Sequence, residues 1–266
     1  MDWIESDIIT TDKYLQLDSI NIAYIKTDSL QYNRPISWRG KHHTYRNATV
    51  WITGHSDFGI TQSLYDRYKS KCNIWFTINK ECESSNFYAI PLGITNNCND
   101  SEIHSIYGNT QIMYEVFKTP KTEIFTVYMN FRVNTHSERT IVYDLFKYKE
   151  WVTVRQSNST IDGRKLFLQE IRSSKFVLCP RGNGVDTHRL WETLYMGSIP
   201  IVKRHVALDE FLDLPICWIS EWEEVTKEFL EKEYFRITVK KDWNYDKLKI
   251  GYWKNRITNS VNSLSN

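Results

Sequence analysis

The chain has 266 residues, room for one large domain or two ordinary ones, and its 41% apolar and 25% charged content allows a buried core. A net charge of +2, from 34 Lys and Arg against 32 Asp and Glu, sets up no field for nucleic acid or a membrane surface. Five cysteines (Cys72, Cys82, Cys98, Cys179 and Cys217) without a C-x-x-C spacing argue against a disulfide framework or a zinc site.

No apolar leader and no apolar run of membrane-spanning length occurs. The expectation is therefore a soluble, cytoplasmic protein with no membrane span and no nucleic-acid partner. The basic stretch "KKDWNYDKLKIGYWKNR" is interrupted by aromatic and acidic residues, which fits a solvated helix face.

In chain order, β-branched and aromatic runs alternate with helix-period segments, the pattern of parallel α/β units. "INIAYI", "TVWITG", "NIWFTI" and "FYAIPLG" predict strands, and "ITQSLYDRYKS" predicts a helix between two of them. Residues 99–118 predict a helix that ends before Pro120. A second series follows: strand "EIFTVYMNF", helix "SERTIVYDLFKY", strand "WVTVRQ", helix "GRKLFLQEIRSS" and strand "KFVLC". It continues with helix "THRLWETLYM", strands "IPIVK" and "ICWIS", and helix "WEEVTKEFLEKEY". Residues 241–266 have helical spacing at Trp243, Leu248, Tyr252 and Ile257, and the sequence leaves their docking site open. The expected fold class is α/β, with two Rossmann-like domains facing across a cleft. The first domain would span 1–118, the second 119–240, and a C-terminal helical segment 241–266. Ligands of open α/β sheets bind beyond the carboxyl ends of the strands, so the cleft is the expected site.

The segment "KFVLCPRGNGVDTHRLWETLYMGSIPIV", residues 175–202, carries most of the chemistry. A short apolar strand is stopped by Pro180, Gly182 and Gly184, and Asp186 or Thr187 can cap the helix that follows. The first turn of that helix offers unpaired N–H groups and a positive dipole end, with the guanidinium of Arg189 there and that of Arg181 just before. That combination suits a diphosphate. Glu192, one turn after Arg189, can accept ribose hydroxyl protons; alternatively Arg189 and Glu192 form only a surface ion pair. Neither G-x-G-x-x-G nor G-x-x-x-x-G-K-[ST] is present.

This string resembles the donor-binding signature of exostosin-type glycosyltransferases. "IWFTINKECESSNFYAIPLGITN" is similar to their interdomain strand and loop, and "VYMNFRVNTHSER" to the start of their donor domain. The resemblance implies the GT-B architecture of two Rossmann-like domains and a nucleotide-sugar donor as co-substrate, without a further cofactor. It also implies that Arg189 contacts the diphosphate and Glu192 the ribose. Asn130 and Arg139 would line the same pocket, and Asp186 and His188 would shape the loop beside the sugar or phosphates. The compact "DTHRLWE" form is most similar to xylosyltransferase-like members and to exostosin-like proteins of algal viruses, which makes UDP-xylose the first donor to consider. Unlike animal members the chain is short and lacks a membrane anchor, which favours a stand-alone cytosolic enzyme.

Glycosyl transfer also needs a base for the acceptor hydroxyl. "TVWITGHSDFGI" ends a strand at Gly54 and presents His55, Ser56 and Asp57 together. Asp57 is the first candidate and His55 the second. Asp57 can equally cap the helix starting near Gly59 and Ile60. The resemblance and a direct base both imply inversion at the anomeric carbon. No Asp-x-Asp occurs, so a metal-independent reaction is expected, with arginines and a helix end stabilising the leaving diphosphate. Trp38, in the polar stretch "NRPISWRGKHHTYRN", is the candidate acceptor-binding aromatic, although aromatic residues more often fill cores. The expected activity is transfer of a sugar from a UDP donor to a glycan hydroxyl. The alternative is a non-catalytic nucleotide-sugar or glycan binding protein on the same scaffold.

Overall fold

Val50–Gly54 and Ile74–Thr77 are buried at every position, on both faces, as expected of central strands in a parallel sheet covered by helices. The computed structural model describes residues 2–38, 41–43, 46–98 and 101–264, with only the backbone described for 36–38 and 41–43. The first half contains α1 (Thr11–Leu15), β1 (Ile22–Lys26), α2 (Thr27–Gln31), β2 (Ile36–Trp38), β3 (Lys41–His43) and β4 (Val50–Gly54). After these come α3 (Gln62–Tyr68), β5 (Ile74–Thr77), β6 (Phe87–Ala89), α4 (Glu102–Tyr107) and α5 (Thr110–Phe117). The second half contains β7 (Phe125–Met129), α6 (Ser137–Phe146), β8 (Val152–Val154), α7 (Ile161–Arg172) and β9 (Ser174–Leu178). It ends with α8 (His188–Tyr195), β10 (Ile199–Lys203), β11 (Cys217–Ile219), α9 (Lys227–Val239) and α10 (Ile250–Leu264).

Two parallel sheets result. The first has the order β1-β4-β5-β6, and the second the order β11-β10-β9-β7-β8. β2 and β3 form a separate antiparallel pair within the polar stretch that carries Trp38. The first sheet adds its strands in sequence order, so it lacks the reversal of strand order expected of a Rossmann-like unit. The second has that reversal, between β7 and β9.

Side chains alternate across the first sheet. Trp51 and Trp75 face Leu64, Tyr65 and Tyr68, whereas Ile52 and Phe76 face the opposite way, into a second cluster. That second cluster also takes in Leu190 and Leu194 of α8 and Trp253 and Ile257 of α10, so one apolar core joins the two sheets. A third cluster covers the other face of the second sheet, with Phe176 and Ile201 against Leu230 and Ile237.

The structure supplies the docking site of the C-terminal segment. α10 lies against the first sheet, where Arg256 stands 5.0 Å over the Tyr88 ring. Trp243 precedes this helix and packs instead with the cluster on the second sheet. The predicted helix over 99–118 is two helices, because Asn109 caps a new one by accepting the Ile112 N–H at 3.0 Å. The helix predicted from Trp222 likewise starts later, at Lys227, where the Thr226 side chain accepts the Phe229 N–H.

Candidate functional site

The chain leaves β7 outward to β8, returns to β9, and then continues to β10 and β11 on the other side. A strand-order reversal of this kind leaves a crevice at the carboxyl ends of the two inner strands, the usual ligand site of open α/β sheets. Here the crevice is part of a pocket of about 700 Å³, walled from the second sheet by Asn130, Arg139, Gly182 and Arg189. Loops after β4, β5 and β6 of the first sheet supply the facing wall, with His55, Asp57, Asn79 and Asn96.

The glycine loop is fastened across this pocket. Asn79 has a left-handed backbone (φ 57°), is buried, and accepts the Asp186 N–H at 2.8 Å. A Cβ at Gly184 would lie 2.5 Å from the Asn79 amide nitrogen, so the close approach of loop and side chain requires glycine there. The Asp186 carboxylate accepts the Leu92 N–H and the Trp191 indole N–H, each at 2.7 Å. Burial raises its carboxyl to about 7. Asp186 therefore ties two segments together and does not cap α8; Thr187 holds the cap position, without a side-chain bond to the first turn. His188 donates from Nδ1 to the Gly93 carbonyl at 2.8 Å, and burial lowers its pKa, favouring the neutral ring.

The cations at the reversal are unequally matched. Arg139 donates from Nε to the Arg181 carbonyl at 2.9 Å. Burial, with a further contribution from the charge of Arg189, lowers its pKa to about 10. Arg189 lies over the Phe167 and Phe131 rings, at 5.3 and 5.9 Å. Its Nη1 is buried without a hydrogen-bond partner, and no carboxylate pairs with it among the described residues. The Arg189–Glu192 ion pair is thus not formed. Glu192 is instead 2.6 Å from Nη1 of Arg164, whose side chain is fully buried. The other Glu192 oxygen makes no hydrogen bond among the described residues, and Glu192 lines the pocket. Asn130 is buried, and its amide is held by the Tyr128 hydroxyl at 2.9 Å. Arg181 is not in the pocket wall: its guanidinium folds back onto the Gly182 and Asn183 carbonyls of its own loop.

On the facing wall, His55 also has a left-handed backbone (φ 54°). Its Nδ1 meets the Tyr24 hydroxyl, while Nε2 is 3.0 Å from Asp12 and 3.1 Å from the Asn96 amide. Both ring nitrogens are therefore occupied. Asp57 is exposed, and its carboxylate accepts from the Asn183 amide at 3.1 Å, across the pocket. It does not cap α3, because Thr61 takes that role and accepts the Leu64 N–H. Trp38 lies in β2, and its side chain is outside the described residues.

Sequence reading missed Asn79 and Arg164. The signal for Arg164 was its position: Arg164, Leu168 and Ile171 share the buried stripe of α7, where a charge needs a partner. Among the described residues, no group of three or more His, Cys, Asp or Glu could hold a metal ion, and no helix is long and apolar enough to cross a membrane.

Two parallel sheets, with an arginine-lined pocket at the strand-order reversal of the second, define an α/β protein. The family model of the RXYLT1 C-terminal domain matches residues 122–258, which include the whole second sheet and its side of the pocket. The chain belongs to this family, a glycosyltransferase family. Among solved structures it is similar to a crystal structure of an α1,3-fucosyltransferase, with a TM-score of 0.42 and 12% identity over 90% of this chain and 85% of that one. No curated protein sequence matches the chain.

Proposed function

We propose that this protein is an inverting glycosyltransferase that moves a sugar, xylose in the first instance, from a UDP donor to a glycan hydroxyl. The observation that carries the reading is Arg189: a partly buried cation without a counter-ion among the described residues, beside Arg139 and in line with the first turn of α8. Membership of a glycosyltransferase family supports the same reading. A donor diphosphate would neutralise both guanidiniums and accept the free N–H groups of the helix end. The unbonded oxygen of Glu192 would accept ribose hydroxyl protons.

Residues 1–118 would then serve as an acceptor-side domain and 119–240 as the donor domain of a GT-B enzyme, with the pocket between them. Asp57 is the base of this scheme, because it is the exposed carboxylate of the facing wall while the ring nitrogens of His55 are occupied. It would take the acceptor hydroxyl proton as the bond from the anomeric carbon to the diphosphate breaks. Attack from the face opposite the diphosphate inverts the anomeric centre. The arginines and the helix end would stabilise the charge developing on the leaving group, so the reaction would run without a divalent metal.

The test is UDP release from UDP-xylose over a panel of glycan acceptors, in EDTA. Wild type should turn over, and Asp57→Ala should lose about 10²- to 10⁴-fold in kcat while keeping its affinity for UDP. Turnover unchanged in Asp57→Ala would remove Asp57 as the base. Failure of UDP-xylose but not of another UDP-sugar would correct the donor sugar alone.

A further inference from the structure

Arg189 and Glu192 stand one helical turn apart on α8, a spacing at which an arginine and a carboxylate ordinarily meet. They do not meet here, and α7 supplies the reason. Arg164 is fully buried at the core side of α7, with Nη1 2.6 Å from Glu192 and Nη2 donating to the Tyr107 carbonyl at 3.0 Å. Its guanidinium lies over the Tyr107 and Phe167 rings, 5.5 Å from each. Its Nε is buried without a hydrogen-bond partner, and its Nη1 meets Glu192 as an ion pair without hydrogen-bond geometry. Arg164 and Arg189 therefore stand over the same Phe167 ring, and Glu192 has been drawn to Arg164.

We infer that Arg164 is a positioning residue that holds Glu192 away from Arg189 and so keeps the pocket's anion site open. Without it, the Glu192 carboxylate would turn to the neighbouring Arg189 and occupy the guanidinium from within the protein. An entering diphosphate would then have to displace that carboxylate. Glu192 itself lines the pocket. This inference rests on the reading of the pocket as a diphosphate site.

Inorganic pyrophosphate is the appropriate probe, because it tests the arginines without the ribose that Glu192 would also contact. Its affinity should be measured by titration calorimetry for wild type, Arg189→Ala, Arg164→Met and Arg164→Met/Glu192→Gln. Wild type should bind and Arg189→Ala should not. Arg164→Met should bind about tenfold more weakly, the equivalent of one charge-assisted hydrogen bond. The double variant should return close to wild type, because the competing carboxylate is gone. A crystal structure of unliganded Arg164→Met should have Glu192 paired with Arg189.

Pyrophosphate affinity unchanged in Arg164→Met, no recovery in the double variant, or Glu192 left in its original position would overturn the inference. If wild type binds neither pyrophosphate nor UDP, the diphosphate reading itself fails. Arg164→Met removes one partner of a buried pair and can fail to fold. Arg164→Lys retains the charge with fewer donors; it should show a smaller loss of affinity, also recovered by Glu192→Gln.

Discussion

A guanidinium taken partly out of water without a carboxylate beside it raises the energy of the empty protein, and an anion that later binds there recovers that energy. Arg189 is in this position, and the lowered pKa of its neighbour Arg139 reflects burial first and the charge of Arg189 next. Arg189→Met should therefore stabilise the unliganded protein by about 1 kcal/mol in urea unfolding while abolishing UDP binding. A variant both less stable and unaffected in binding would count against this account of the residue. Asp186 makes a second prediction. Burial raises its carboxyl from 3.8 to about 7, so between those values the folded protein holds a proton that the unfolded chain has released. Its contribution to stability is complete below 3.8 and is lost as pH rises through about 7. The stability advantage of wild type over Asp186→Asn should shrink as pH rises from about 5 to about 8, and a constant gap would contradict it. At this scale the sequence carried the residues of one βα turn, because Gly182, Gly184, Asp186 and Arg189 are kept together by the chain itself. Asn79 and Arg164 come to the pocket from other elements, and only packing brings them there.

At the scale of elements, the central strands such as β4 and β5 were legible because they are apolar runs buried on both faces, bounded by turn residues. Helix boundaries were less so. The breaks at Asn109 and Thr226 depend on single side chains reaching a backbone N–H three residues on, which periodicity does not register. The C-terminal helix shows what spacing alone omits. Its apolar stripe was visible in the sequence, but nothing local says that α10 returns to the first sheet. Trp253 is fully buried there, donates its indole N–H to the Lys247 carbonyl at 2.8 Å, and meets Phe211 edge to face. Trp253→Ala should cost about 3 to 5 kcal/mol in urea unfolding, where a surface helix would lose far less.

Across the whole molecule, strand order and the apolar core assign different roles to the two sheets. The second sheet has the strand-order reversal, and the arginines stand at its mouth. The first sheet is sequential and presents loops rather than a crevice of its own. The order of strands in a sheet is set by crossover packing, which a single sequence does not display, so two similar units were expected where two different ones occur. Tyr195 of α8 ties the parts together, with its hydroxyl accepting the Ile9 N–H at 2.8 Å and donating to the Leu248 carbonyl at 2.7 Å. With one apolar cluster running through both sheets, unfolding should be a single transition, with coincident curves by far-UV dichroism and tryptophan fluorescence. Two separated transitions would mean that the sheets are independent. The central claim, a uridine-nucleotide site built on Arg189, is tested most directly by thermal unfolding of wild type and Arg189→Ala with UDP, GDP, ADP or CMP in EDTA. UDP alone should raise the wild-type midpoint, by the equivalent of about 2.7 kcal/mol at a hundred times its dissociation constant, and should leave Arg189→Ala unmoved. No shift with any of the four nucleotides, in EDTA or with Mn²⁺ added, would contradict the claim.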